Sequence, residues 1–97
     1  MTGDKVLEVV RTYRSHFVAL QIEPKDYPHN ELLGPRKDAD ILGHCCGMLP
    51  KIEAFVHERR IEKAMRWLGF VQGCLWACGI FSLDELKNHS RPDAPEQ

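Results

Sequence analysis

The apolar residues in the first part of the chain recur at steps of three and four positions, which is the spacing of one face of an α-helix. The earliest of these patterns extends from Asp4 to Leu20. Its apolar positions are Val6, Val10, Tyr13, Phe17 and Leu20. Most of the positions between them are charged or polar, as on the solvent-facing side of an amphipathic helix. The pattern therefore predicts a first helix from Asp4 to Leu20.

A connecting segment separates this helix from a second helical pattern. Between residues 23 and 40 the chain carries three prolines and Gly34, and proline removes a donor that a helix interior needs. This segment is predicted to be irregular, with a short turn near residues 31–33. After Pro35 the helical spacing returns at Ile41, Cys45, Leu49, Ile52 and Val56. Pro50 lies within this pattern, and it could separate two shorter helices that meet near Gly47. Because the apolar stripe continues on both sides of Pro50, one long helix with a kink is favoured.

The C-terminal part of the chain predicts a third long helix. Residues 57–60 form a short charged hinge, and the helix that follows is predicted from Ile61 to Cys78. Gly79 is expected to end it, because glycine adopts the left-handed backbone conformation that commonly follows a helix.

A short fourth helix is predicted after this glycine. Ser82 and Glu85 have the spacing of a capping box, which places the helix from Leu83 to about Asn88. Residues 90–97 carry no apolar residues that could bury them in a core, so they are predicted to be a disordered tail. Residues 1–89 are then a single helical domain.

The fold class that these elements predict is all-α, a small antiparallel bundle of three main helices and a short C-terminal helix. The third helix is apolar around most of its circumference. A row of small residues, Gly69, Gly73 and Ala77, lies at a spacing of four, with Phe70 and Trp76 beside it. Because small residues let a second backbone come close, we expect the bundle to be completed by oligomerisation, most simply as a homodimer.

Composition and charge narrow the classes of partner. The 97 residues have a formal net charge of −1, so no overall field attracts nucleic acid or an anionic membrane. The apolar run from Trp67 to Phe81 is shorter than the ~20 residues that a membrane-spanning helix needs. The N-terminus lacks the basic and apolar blocks of a secretory signal. We therefore expect a cytoplasmic protein that does not enter a membrane, with its cysteines reduced.

The candidate metal ligands have the wrong spacing for a zinc site. Cys74 and Cys78 lie one turn apart, and His44, Cys45 and Cys46 are the other candidates. Consecutive residues of a helix point in different directions, unlike the ligand pairs of structural zinc sites. Free cysteine is common in protein cores, so we predict packing roles, with no metal and no cofactor.

Catalysis and nucleic-acid binding are not expected either. The five histidines have no nucleophile or paired carboxylate at a catalytic spacing. The basic residues Arg59, Arg60, Lys63 and Arg66 alternate with glutamates, which is typical of a solvated helix face. Gln72 interrupts an apolar stripe and must find hydrogen-bond partners. Structural partners are favoured for it, and a polar ligand is the alternative.

The sequence also contains a motif that resembles a known group of proteins. The block "RRIEKAMRWLGFVQGCLWACGIFSLDELKNHSRP", with "HNELLG" upstream, resembles small helical proteins of uncharacterised function that tailed bacteriophages and prophages encode. These proteins share a Lys-Ala-x-Arg-Trp-Leu-Gly-Phe-x-Gln-Gly core followed by Ser-x-Asp-Glu-Leu. The resemblance covers about the C-terminal two-thirds of the chain and implies expression inside a bacterial host. Cys74 and Cys78 fall where that pattern is expected to be loose, which weakens a metal role further.

Two functional classes follow from these features. The first is a non-enzymatic phage-type accessory protein, a helical homo-oligomer that binds a host or phage protein. The second is a small ligand-binding oligomer that sequesters a nucleotide, with Arg66, Gln72 and Trp76 lining a pocket between subunits. The first is favoured, because it needs only surfaces of the kind that this sequence carries. The predicted interface or binding residues are Arg66, Trp67, Gly69, Phe70, Gln72, Gly73, Trp76 and Ala77.

Overall fold

Four α-helices form the part of the chain that the structure, a computed structural model, describes, namely residues 1–35 and 37–92. They are α1 (Gly3–Ala19), α2 (Asp38–His57), α3 (Ile61–Ala77) and α4 (Leu83–Ser90). No strand occurs within these ranges. The predicted all-α bundle is confirmed, and the predicted helix boundaries differ from the observed ones by a few residues. The predicted tail begins inside α4 at Ser90, and its residues 93–97 lie outside the described ranges.

The first and last helices begin with side-chain caps. The Thr2 hydroxyl accepts a hydrogen bond from the Lys5 amide at 3.1 Å. At the start of α4 the Glu85 amide donates to the Ser82 hydroxyl at 3.1 Å, and the Ser82 amide donates to the Glu85 carboxylate at 3.0 Å. These bonds satisfy backbone donors that have no partner in the first helical turn. The predicted capping box is therefore confirmed.

The three long helices all end in the same way. The residue after each C-cap has a positive φ, at 59° for Gln21, 63° for Arg59 and 74° for Gly79. The next amide then donates back to a carbonyl in the last helical turn, at 2.8 to 2.9 Å. This is the Schellman arrangement, which usually places a glycine at the left-handed position. Gly79 was predicted in this role, whereas the left-handed Gln21 and Arg59 have no such sequence signal.

One apolar core joins all four helices. The stripe predicted for α1 is buried except for its last member, Leu20, which is 48% exposed because the helix has already ended. On α3, which is apolar around most of its circumference, only one face is buried, and Met65 is 36% exposed. The buried residues of α3 are Ala64, Leu68, Val71 and Leu75.

A salt bridge joins α1 to α2 at the edge of this core. The Arg14 guanidinium donates to both carboxylate oxygens of Glu53, with one of the two contacts at 2.9 Å. The hydrogen bond from Arg14 holds the pKa of Glu53 below its ordinary value. Such paired contacts fix the relative position of two elements better than a single charge contact does.

The helix α2 continues through its proline. It extends as one element from Asp38 to His57, so the alternative of two helices meeting near Gly47 is wrong. Pro50 is exposed, and the solvent side of a helix is where a missing hydrogen bond costs least, since water can reach the freed carbonyl.

The connecting segment is irregular, as predicted, and it lies directly against α2. The Lys25 amide donates to the Gly43 carbonyl at 2.9 Å, and the Tyr27 amide donates to Nδ1 of His44 at 3.3 Å. A Cβ on Gly43 would lie only 2.9 Å from Cβ of Lys25, so glycine is what permits this approach. The turn in the segment is closed by the Glu31 amide and the Pro28 carbonyl at 3.3 Å, slightly earlier than the predicted turn at residues 31–33.

Candidate binding groove

An apolar groove of about 950 Å³ lies between α2, α3 and the connecting segment, and we call it the α2–α3 groove. The connecting segment and α2 form two of its walls through Tyr27, Pro28, His29, Glu31, Leu33, Asp40, Ile41, His44, Met48 and Lys51. The third wall is α3, through Arg66, Trp67, Gly69, Phe70, Gly73, Cys74 and Ala77. The groove is therefore built on the helix that the sequence singled out.

The row of small residues on α3 is open in the single chain. A Cβ placed on Gly69 or on Gly73 would meet no atom within 4 Å. The aromatic residues next to the row are also uncovered, with Phe70 55% exposed and Trp76 53% exposed. The chain itself thus leaves an apolar strip of α3 without a cover, although isolated large apolar residues on a surface would need no explanation.

Six of the eight predicted interface residues line this groove. They are Arg66, Trp67, Gly69, Phe70, Gly73 and Ala77. Trp76 is exposed outside the lining, and Gln72 points to another part of the molecule. The trio of Arg66, Gln72 and Trp76 that the sequence suggested for a ligand is therefore not assembled within one chain.

Gln72 belongs to a polar network between α1, α3 and α4. Its side-chain amide donates to the Tyr13 hydroxyl at 3.0 Å and to the Ser90 hydroxyl at 2.9 Å. The Tyr13 hydroxyl also contacts Nδ1 of His89 at 3.0 Å. Because this hydroxyl accepts from Gln72, its own hydrogen is available to donate to a neutral His89 ring. Gln72 has the structural partners that the sequence analysis favoured, and they fasten α4 to the bundle.

Burial shifts the ionisation of two members of this network. It lowers the pKa of His89, and the nearby His16 lowers it further, while Glu85 opposes both effects. Burial also raises the pKa of Tyr13, an effect that the hydrogen bond from Gln72 partly offsets. Both shifts favour the neutral forms, which are the forms that the hydrogen bonds require.

The α2 wall of the groove carries residues that the sequence analysis did not predict for a binding surface. Ile41, His44, Met48 and Lys51 recur at helical steps and line the groove together. Of these, only Ile41 belongs to the predicted apolar stripe, because His44 and Lys51 are polar. The ring of His44 lies with its centroid 6.4 Å from that of Phe70 on the opposite wall, so aromatic groups face each other across the groove.

Cations and aromatic rings meet around Trp67. The Phe55 and Trp67 rings lie edge to face, with centroids 4.9 Å apart. The Lys63 ammonium lies 4.6 Å from the Phe55 centroid and 5.9 Å from that of Trp67, and the Arg60 guanidinium lies 5.3 Å from that of Phe55. Contacts of this kind stabilise exposed aromatic residues by about 0.5 to 1 kcal/mol each. The basic cluster thus covers aromatic rings as well as facing solvent.

Cys45 and Cys46 on α2, Cys74 on α3 and Cys78 at the end of α3 form no disulfide. Cys45 is fully buried, whereas Cys74 is half-buried and lines the groove. The interaction with the Cys74 thiol and burial together raise the pKa of Cys45. Within residues 1–35 and 37–92, no three His, Cys, Asp or Glu side chains come together in an arrangement that would hold a metal ion.

Comparison with known proteins finds no similar protein. No family model, no curated protein and no solved structure matches this chain. The resemblance to phage-encoded proteins therefore stays a prediction. In the part of the chain that the structure describes, every helix is too short or too polar to span a bilayer.

Proposed function

We propose that this chain is a non-enzymatic, phage-type accessory protein that works as a homo-oligomeric interaction module through α3. The observation that carries the proposal is the uncovered row of Gly69, Gly73 and Ala77 on one wall of the apolar α2–α3 groove. Glycine in an exposed helix interior lowers helix stability by about 1 kcal/mol relative to alanine. Two such glycines one turn apart are explained when another backbone packs against them.

The occupant that fits best is a second copy of α3. Twofold pairing would bring two rows of small residues together and would cover Phe70 and Trp76, each more than half exposed in the single chain. The formal net charge of −1 gives little long-range repulsion between two copies. The resulting dimer would act on a host or phage protein in the bacterial cytoplasm; the resemblance supports the bacterial host, and the partner is part of the proposal.

Hydrogen exchange combined with sedimentation equilibrium tests this proposal. At high micromolar concentration we expect the mass of two chains, together with slower exchange of the amides of residues 66–77 than in dilute solution. The amides of residues 6–13 on α1, which lie outside the groove lining, serve as the internal reference. A mass of one chain at the highest soluble concentration would rule out the homodimer, and added protection confined to α1 would place the interface elsewhere.

A second candidate is suggested by the size of the groove. Its volume of about 950 Å³ lies within the range of ~300 to 1,000 Å³ that is typical of small-molecule sites. Aromatic side chains and the cations of Arg66 and Lys51 line it, which are groups that a nucleotide can use. Of the residues predicted for this role, only Arg66 lies in the groove.

A thermal-shift screen with nucleotides distinguishes the two candidates. Nucleotide sequestration predicts a melting temperature that rises with nucleotide concentration and a response that is lost in Arg66→Ala. The interaction module predicts no response to nucleotides and a melting temperature that rises with protein concentration, because association stabilises the native state.

A further inference from the structure

Two thiols face each other across the α2–α3 contact. Cys45 on α2 and Cys74 on α3 lie equally far along the chain from the turn at Arg59 and Arg60, so folding back at this turn brings them opposite each other. The interaction between their thiols shifts the pKa of both groups. Cys45 is 0% exposed, whereas Cys74 opens into the groove. The arrangement is one accessible thiol with a buried thiol behind it.

We propose that Cys74 is a thiol-exchange site, which reacts with a low-molecular-weight disulfide entering the groove and then forms a disulfide with Cys45. In the first step the Cys74 thiolate attacks one sulfur of the reagent R–S–S–R, a Cys74–S–S–R bond forms and RS⁻ leaves. In the second step the Cys45 thiol loses its proton to solvent and attacks Sγ of Cys74, and a second RS⁻ leaves. The two cysteines are oxidised by two electrons, and the reagent is reduced to two thiols.

The order of the two steps follows from the surroundings of each sulfur. The hydrogen bond from Cys45 lowers the pKa of Cys74 to about 7, against an opposing effect of burial. A share of Cys74 is therefore thiolate at neutral pH, which is the form that attacks disulfides. Cys45 stays protonated while it donates this bond, because the bond is the largest cause of its raised pKa. Once Cys74 is in a mixed disulfide that cause is gone, while burial still opposes the ionisation of Cys45 and slows the second step.

The other two cysteines provide controls. The Cys46 thiol donates to the Ile22 carbonyl at 3.9 Å, and burial raises its pKa. Cys78 is half-buried. Neither Cys46 nor Cys78 lines the groove. Cys46→Ser and Cys78→Ser are therefore expected to react as the unsubstituted protein does.

Timed reaction of the reduced full chain with glutathione disulfide, followed by acid quenching and peptide mapping by mass spectrometry, tests the proposal. The reaction is run at a concentration at which sedimentation gives the mass of one chain, so that no second copy covers the groove. We expect glutathione on Cys74 first and a Cys45–Cys74 disulfide later. Cys74→Ser should slow all labelling at least about tenfold. Cys45→Ala should stop at the mixed disulfide, with circular dichroism confirming that the variant is folded.

Three outcomes would overturn the proposal, and none of them needs a variant. One is labelling of Cys46 or Cys78 before Cys74. Another is a native chain that stays unlabelled under conditions that label the unfolded chain. The third is a mixed disulfide on Cys74 that never converts to the internal disulfide, which would show that Cys45 does not take part. The proposal is independent of homodimer formation, so failure of either leaves the other standing.

Discussion

Replacing Gly73 by leucine is expected to have opposite effects on the folding of one chain and on the association of two. A Cβ at this position meets no atom within 4 Å in the single chain, so the new side chain extends into the open groove. Leucine is a better helix former than glycine by about 0.8 kcal/mol. The free energy of unfolding of the monomer should therefore rise by about this amount.

The same leucine should weaken the proposed homodimer. If the two α3 helices cross at the row of small residues, a side chain at position 73 separates their backbones, and overpacking of a tight contact costs about 1 to 3 kcal/mol. Since each 1.4 kcal/mol is a factor of ten, the dissociation constant should rise roughly 5- to 150-fold.

Two measurements separate these effects. Urea denaturation at low micromolar concentration reports on the monomer, and sedimentation equilibrium over a concentration series reports on the dimer. Ser15→Leu is the matched control, because it adds a leucine to an exposed position on α1 that is not part of the groove. It should leave the dissociation constant unchanged.

Several results would refute the reasoning. A Gly73→Leu chain that is less stable as a monomer would show that position 73 is not open. An unchanged dissociation constant would show that the two helices do not cross at Gly73. A lower dissociation constant would show that a large side chain fits where we propose close contact of the backbones. An unsubstituted chain that stays monomeric throughout the series would refute the interface itself.

Three further predictions concern the stability of the fold. Arg59→Gly should raise the free energy of unfolding by up to about 1 kcal/mol in urea denaturation, because it relieves a left-handed residue at φ 63°; a loss would contradict this. The pKa of His89 is lowered from 6.5 in the folded chain, so its contribution to stability is present above about pH 6.5 and is lost as the pH falls towards the folded value. Denaturation at several pH values should show a weaker pH dependence in His89→Gln than in the unsubstituted chain, and equal slopes would refute the assignment. Gly43→Ala should lower the melting temperature, because the new Cβ would lie 2.9 Å from Cβ of Lys25. Overpacking costs about 1 to 3 kcal/mol, which outweighs the gain of about 1 kcal/mol in helix propensity. An unchanged melting temperature would show that the connecting segment moves away at little cost.

Helix periodicity is strong enough in this chain to predict the number, order and approximate ends of the helices. The signal is local, because an amphipathic stripe and a capping box such as Ser82 with Glu85 depend on residues a few positions apart. The left-handed residues after α1 and α2 were less predictable than Gly79 after α3, since Gln21 and Arg59 adopt this conformation without being glycine.

The position of the buried face on α3 was harder to predict. The helix is apolar around most of its circumference, and only the packing of α1, α2 and α4 decides which positions are covered. The core selects Ala64 and Val71 and leaves Met65 at the surface. Residue hydrophobicity does not distinguish these positions, so the decision is made by tertiary contacts.

The groove was predictable in part. Its α3 wall follows from the spacing of Gly69 and Gly73, which is visible in the sequence. The wall formed by the connecting segment is not, because it depends on a long-range approach of Lys25 to Gly43. The hydrogen-bond partners of Gln72 could not be predicted from the sequence either, since Tyr13 is 59 positions away along the chain.

The unequal walls of the α2–α3 groove have a consequence for the rate at which an occupant enters. α3 is held by the core along its length, whereas Lys25 and Tyr27 fasten the irregular wall to α2 through a few bonds at one end. A wall held by few contacts opens at a lower free-energy cost than a packed helix. Occupants of different width can therefore make the same contacts with α3 while displacing the segment to different extents. The association rate constant should then depend on the width of the occupant, and the dissociation rate constant should depend mainly on its contacts with α3.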